Sequence, residues 1–132
     1  MIFVDTGVFI ALARVADEHH SRAVSLSHEL EASGETLVFS EAILAEFASY
    51  VSRYHGPAAA RDESVKLLES SALSLVVPTP AEIRGALDAL KQYSFSSYAD
   101  ALSVTLMQGR GIRRIASFDS DFDRVKGLKR IH

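Results

Sequence analysis

The sequence predicts an α/β fold, a three-layer α/β/α sandwich around a central, mostly parallel sheet of about five strands. Three observations predict it. Short apolar runs alternate with longer stretches of helical periodicity from one end of the chain to the other. The run Ile2-Phe3-Val4 is apolar throughout, and Thr36-Leu37-Val38-Phe39 nearly so, as strands covered on both faces are. Apolar residues make up 48% of the 132 positions, enough to fill one core but not two, so positions 1–132 are read as a single domain.

The first strand stops at Asp5, and Val8-Phe9-Ile10-Ala11-Leu12 begins a short helix. From Asp17, a candidate N-cap, His20, Ala23, Val24, Ser27 and Leu30 recur at helical spacing until Gly34. After the second strand, Ser40 caps a helix with Ile43, Leu44, Phe47 and Val51 on one face, broken by His55-Gly56-Pro57. Ala58 to Ser70 is helical in composition, and Leu73 to Val77 is a third strand. Thr79-Pro80-Ala81-Glu82 is a capping box with proline at the first helical position, opening an amphipathic helix marked by Ile83, Ala86, Leu87 and Leu90. Ser96-Ser97 opens another helix that ends at Gly109-Arg110-Gly111. Arg114-Ile115-Ala116 is a fourth strand, Phe118 to Val125 a turn with some helix, and Leu128 to Ile131 a fifth strand.

Several functional classes are excluded by composition. There is no cysteine, hence no disulfide framework, thiol nucleophile or thiolate zinc site, and a cytoplasmic location is expected. No apolar run approaches the roughly 20 residues of a membrane span. The start Met1-Ile2-Phe3-Val4-Asp5 lacks the basic region of a signal peptide. None of the five histidines has the i, i+4 partner of a helical zinc site. A net charge of −3 weighs against a nucleic-acid binder, unless the acids are gathered in a metal site where cations reverse the local field.

In a parallel sheet, ligands bind beyond the carboxyl ends of the strands, near the point where strand order reverses. Asp5 ends the first strand, and Ser117-Phe118-Asp119-Ser120-Asp121-Phe122-Asp123 follows the fourth. Each acid has a plain structural explanation. Asp5 alone suits a helix cap, and Asp119, Asp121 and Asp123 suit a solvated turn. Glu46, at the flank of an apolar helix face, suits solvent; Asp100 has capping-box spacing from Ser97. What groups them is acidity in both loops at the ligand-binding end. Packed carboxylates repel, and a hard cation such as Mg²⁺ or Mn²⁺ compensates them. Such an ion activates water and stabilises charge on phosphate oxygens, so no serine, cysteine or histidine nucleophile is required.

Val4-Asp5-Thr6, Leu44-Ala45-Glu46, Tyr98-Ala99-Asp100-Ala101-Leu102 and Ser117-Phe118-Asp119-Ser120-Asp121-Phe122, in this order and over this length, resemble the PIN domain, and within it the VapC toxins of toxin–antitoxin pairs. The resemblance covers essentially the whole chain. It implies a metal-dependent endoribonuclease that hydrolyses RNA with a metal-activated water, leaving a 3′-hydroxyl and a 5′-phosphate. It also implies a cognate antitoxin and a homodimer. Asp5, Glu46, Asp100 and Asp119 match the family's acidic quartet, and Asp121 a further acid. The expected Mg²⁺ or Mn²⁺ ligands are Asp5, Asp100, Asp119 and Asp121, with Thr6 and Ser117 lining the site. Gly7 departs from the serine or asparagine of many relatives, and Asp123 matches no family role.

Arg110, Arg113 and Arg114 cluster at a turn, and with Arg14, Arg53 and Arg61 are candidates for phosphate contact. Phe9, Leu12, Phe47, Tyr50 and Tyr54 are read mainly as core; some such residues form an antitoxin groove in VapC relatives. Two rival readings fit less well. A response-regulator receiver needs an adjacent acidic pair after the first strand, but Asp5 is followed by Thr6, and its expected lysine after the fifth strand is absent, since that strand ends at His132. A catalytically silent PIN scaffold sits poorly with an intact quartet.

Overall fold

The computed structural model describes Met1–His132. Its elements are β1 (Ile2–Val4), α1 (Thr6–Ala13), α2 (His20–Ala32), β2 (Leu37–Ser40), α3 (Glu41–His55), α4 (Pro57–Glu69), β3 (Leu73–Val76), α5 (Pro80–Tyr93), α6 (Tyr98–Gly109), β4 (Arg114–Ala116) and β5 (Lys129–Ile131), with a 3₁₀ turn at Ser120–Arg124 between the last two strands. The strands form one five-stranded sheet in the order β3-β2-β1-β4-β5, and every pairing is parallel. Every residue of β1 and β2 is buried. Since neighbouring strand residues point to opposite faces, both faces of the centre are covered, as in a three-layer α/β/α sandwich.

The chain builds outward from β1 to β2 and β3, then returns to the other side of β1 for β4 and β5. Strand order therefore reverses between β1 and β4. Register places Val4 beside Ala116, and the Asp5 amide donates to the Ala116 carbonyl at 3.0 Å, so the two strands end together.

Local chemistry sets the helix ends. Asp5, Ser40, Thr79 and Ser97 each cap a helix through a side-chain oxygen. The α3–α4 break sits at Gly56, whose φ of 89° disfavours a side chain there, with Pro57 opening α4. Asp17 does not cap α2 directly. Its carboxylate accepts from the His19 amide at 2.9 Å, in the turn before that helix.

One core of aromatic and branched side chains spans the sheet. Phe9 meets Phe39 edge-on, with ring centroids 5.6 Å apart, and Phe47 at 6.1 Å. Helix α6 is buried on nearly every side, which explains its run of Ala, Leu, Val and Met. Helix α5 packs against it differently from the expected pattern. Ala86 and Ala89 are buried, whereas Ile83 and Leu87 lie exposed. A small inner face lets the two helices approach closely. A Cβ added at Gly85 would stand 3.1 Å from the Thr105 methyl.

The capping box at α5 is complete: Thr79 Oγ1 accepts from the Glu82 amide, and Glu82 accepts from the Thr79 amide at 2.8 Å. Thr79→Ala should lower stability by about 1 kcal/mol. Urea unfolding measures this, and an unchanged midpoint with an unchanged slope would contradict it.

Candidate active site

The candidate acids arrive from four separate elements. Asp5 follows β1, Glu46 lies on α3, Asp100 is in the first turn of α6, and Asp119 and Asp121 follow β4. Asp5 is 8% exposed and does serve as the cap of α1, accepting from the Thr6 amide at Oδ1, 2.7 Å away. Its second oxygen, Oδ2, accepts from the Ser117 hydroxyl at 2.6 Å. Ser117, buried itself, also accepts from the Asp119 amide at 3.0 Å. One hydroxyl thus fastens the loop after β4 to the end of β1. Asp119 in turn caps the 3₁₀ turn, accepting from the Asp121 amide at 2.8 Å.

Glu46 is held from two sides. The Thr6 hydroxyl donates to one carboxylate oxygen at 2.7 Å, and the Ser97 hydroxyl to the other at 3.0 Å. Ser97 was legible in the sequence only as a helix start. Its hydroxyl also accepts from the Ala99 amide at 3.1 Å, so it caps α6 while orienting a residue 51 positions away. No local signal marks that second role, because it depends on where α3 and α6 meet. The capping box that the Ser97–Asp100 spacing would allow does not form: the cap bond goes to Ala99, and Asp100 is left without a hydrogen-bonded partner.

The electrostatics tie the group together. Burial pushes the Asp5 carboxyl up to about 6, against the opposing pull of the Ser117 and Thr6 donors and with help from the charges of Glu46 and Asp119. Asp100 is pushed up to about 7, chiefly by burial and then by the negative charges of Asp5, Asp119, Glu46 and Asp121. The acids therefore share one field. As they stand, no three of the Asp, Glu or His side chains lie close enough to coordinate a single ion. Uncompensated carboxylates repel one another and take hydroxyl and amide donors instead. The donor set itself is hard oxygen with no thiolate, which suits Mg²⁺ or Mn²⁺.

Asp123 is outside the cluster, paired with Arg130 through both oxygens at 3.0 and 2.8 Å, and that guanidinium holds its carboxyl below the usual range. Arg110 and Arg114 are held by Glu82 and Glu35, and Arg61 by its neighbour Asp62. At Gly7 a Cβ would stand 3.6 Å from Asp5 Oδ2, an ordinary contact, so a polar side chain would fit beside the acid. Phe9 and Phe47 are core, Leu12 and Tyr50 half-buried, and Tyr54 is 63% exposed.

The PIN domain family profile matches residues 2–128. The chain belongs to the PIN domain family. Ribonuclease VapC13 of Mycobacterium tuberculosis is 30% identical over 135 aligned positions, covering 99% of each chain. Among solved structures, Mycobacterium tuberculosis VapC20, described as a toxin that cleaves the sarcin–ricin loop, superposes with a TM-score of 0.82 at 26% identity, covering 97% of both chains. The Rickettsia felis VapBC2 complex, bound to a fragment of its promoter DNA, shares the fold, with a TM-score of 0.71 at 17% identity, covering 99% of this chain and 98% of that one.

Asp5 and Asp100 ionise at higher pH in the folded chain than at their ordinary value of 3.8. Between that value and about 7, the folded state holds more protons, so these two groups make stability fall as pH rises through the window. In chelator, the wild-type Tm should fall more steeply across this range than that of Asp5→Asn, which removes one of the two groups. Parallel Tm profiles for the two proteins would contradict the raised Asp5 value.

Proposed function

We propose that this chain is the endoribonuclease toxin of a toxin–antitoxin pair, cutting RNA phosphodiesters with the aid of a divalent cation. The observation that carries the reading is the charge-coupled group of Asp5, Glu46, Asp100 and Asp119 at the reversal point of a PIN-family sheet. Membership in a family whose relatives include VapC ribonucleases supports the substrate class, and the VapBC complex supports an antitoxin partner. No helix is long and apolar enough to cross a membrane. A cytoplasmic site of action accords with that and with the lack of cysteine.

Asp5, Asp100, Asp119 and Asp121 would hold Mg²⁺ or Mn²⁺. When bound, the ion supplies charge compensation for the acids, activation of the attacking water and stabilisation of the phosphate oxygens. The chain's own residues do the rest. Ser117 and the Thr6 amide fix the plane of the Asp5 carboxylate while leaving each oxygen further acceptor capacity. Thr6 and Ser97 hold Glu46 in one orientation, where it can accept a proton from water. Near neutral pH Asp100 sits at the edge of protonation, so cation binding and proton release are coupled there.

Asp5→Asn keeps shape but removes a charge and weakens a hard-cation ligand. It should abolish Mg²⁺- or Mn²⁺-dependent cleavage of a structured RNA while circular dichroism stays that of a folded protein. Full activity in the variant would defeat the mechanism; lost activity with lost folding would make Asp5 a structural cap alone. Ile83 and Leu87, a turn apart and exposed on α5, leave apolar surface for a second copy, and a homodimer is expected. Light scattering at micromolar concentration should give twice the 14.4 kDa chain mass. A monomer at every concentration would rule the homodimer out.

A further inference from the structure

The acid cluster alone is a poor host for a polyanion, because the chain carries a net charge of −3 and its site is lined with carboxylates. Positive charge must come from somewhere, yet most arginines are already spent. Arg22, Arg61, Arg110, Arg114, Arg124 and Arg130 each face a carboxylate within ion-pair distance. Arg14, Arg53, Arg84 and Arg113 do not. Two of these four meet on one flank of α3. Arg53 lines an open groove of about 410 Å³ together with Ala45, Glu46, Ser49, Tyr50 and Tyr54. Arg14 reaches the same wall from beyond α1, donating to the Tyr50 hydroxyl at 3.3 Å.

The groove is a ruler laid along a helix. Glu46, Tyr50 and Tyr54 follow each other at four-residue spacing and so form one stripe, each about 6 Å further along the axis. The two tyrosine rings lie with centroids 4.7 Å apart, tilted by 45°. Tyr54 is largely exposed, and Tyr50 is its one aromatic partner. Aromatic faces beside uncommitted guanidinium groups are the elements of single-strand recognition: the rings stack bases, and the cations neutralise phosphates. Ala45 is the only aliphatic side chain in the lining, too little for the apolar face of a peptide helix.

Building on the nuclease reading above, we propose that the α3 groove is the substrate track. It holds single-stranded RNA next to the cleaved bond, with a base stacked on Tyr54 and Tyr50 and its phosphate met by Arg53 and Arg14. Glu46, at the head of the stripe, joins the track to the acid cluster.

Two of the chain's four tyrosines, Tyr50 and Tyr54, line this groove and there is no tryptophan, so the share of tyrosine emission that changes with Tyr54→Ala reports on it. In the Asp5→Asn protein with Mg²⁺, titrating a short single-stranded RNA should quench that emission. Tyr54→Ala in the same protein should remove most of the quenching. With the active chain, Tyr54→Ala and Arg53→Gln should each raise KM for the RNA about five- to tenfold, with kcat within about twofold. Arg84→Gln, the same charge change outside the groove, should leave KM in place. Absence of quenching overturns the proposal whatever the cleavage result, as does an equal KM rise in Arg84→Gln, which would reduce the effect to bulk charge. RNA binding unchanged in Tyr54→Ala, with loss of the antitoxin complex, would make the groove a protein site and likewise overturn it. Quenching that is present while the wild type cuts no RNA would uphold the track and count against the nuclease reading alone.

Discussion

Asp5 is an ionisable carboxyl held where little water reaches it, at the end of the central strand and against the start of α1. Such a group is costly unless its charge is met, and here the chain meets it only in part. The Ser117 hydroxyl and the Thr6 amide each give it one hydrogen bond, and neither brings a positive charge. The carboxyl therefore resists ionisation, and its neighbours make that worse rather than better. Much of the local architecture follows from this constraint. Ser117 must stay buried between β1 and the loop after β4, and that loop must turn tightly enough for Asp119 to follow it. Arg130, paired with Asp123 and reaching the Ser117 carbonyl at 3.5 Å, braces the same loop from the edge strand.

A site that opposes its own ionisation fits a trade between stability and function. Replacing the acids would relieve the fold, and in the proposed reading their repulsion is what a hard cation would relieve on binding. Hydroxyl residues manage the interval. Thr6, Ser97 and Ser117 satisfy carboxylate oxygens without cancelling their charge, so the acids stay oriented and still available. Lysines or arginines in those places would meet the carboxylate charge itself and, in the proposed reading, compete with a metal for it.

Charge elsewhere on the surface is arranged to match. Several arginines close ion pairs on exposed flanks, which contribute little to stability but remove stray positive field. Those left free include Arg53 on α3 and Arg14 just past α1, beside a helix whose opposite face, through Ile43, Phe47 and Val51, is locked into the core. A rigid helix carrying both Glu46 and the groove residues keeps the two at a constant separation, which a loop would not.

Much of this was readable from residue order alone. Strand and helix alternation, the Ser40 and Thr79 caps, the break at Gly56 and the placement of acids at strand ends are all local or periodic signals, encoded within a few residues. What the order of residues left open was most side-chain relations between elements. It marked Asp5 and Asp100 each as a plausible cap; only the fold makes Asp5 both cap and buried acid, and strips Asp100 of the cap bond. It read Ile83 and Leu87 as inward, yet close approach of α5 to α6 admits only small residues between them and turns the larger ones out. It could not separate Asp123 from Asp119 and Asp121, since the pairing with Arg130 needs β5 beside β4. Nor could it give Ser97 its bond to Glu46. Side-chain chemistry is written along the chain, whereas the field each group feels depends on distances that exist only once strands and helices have packed.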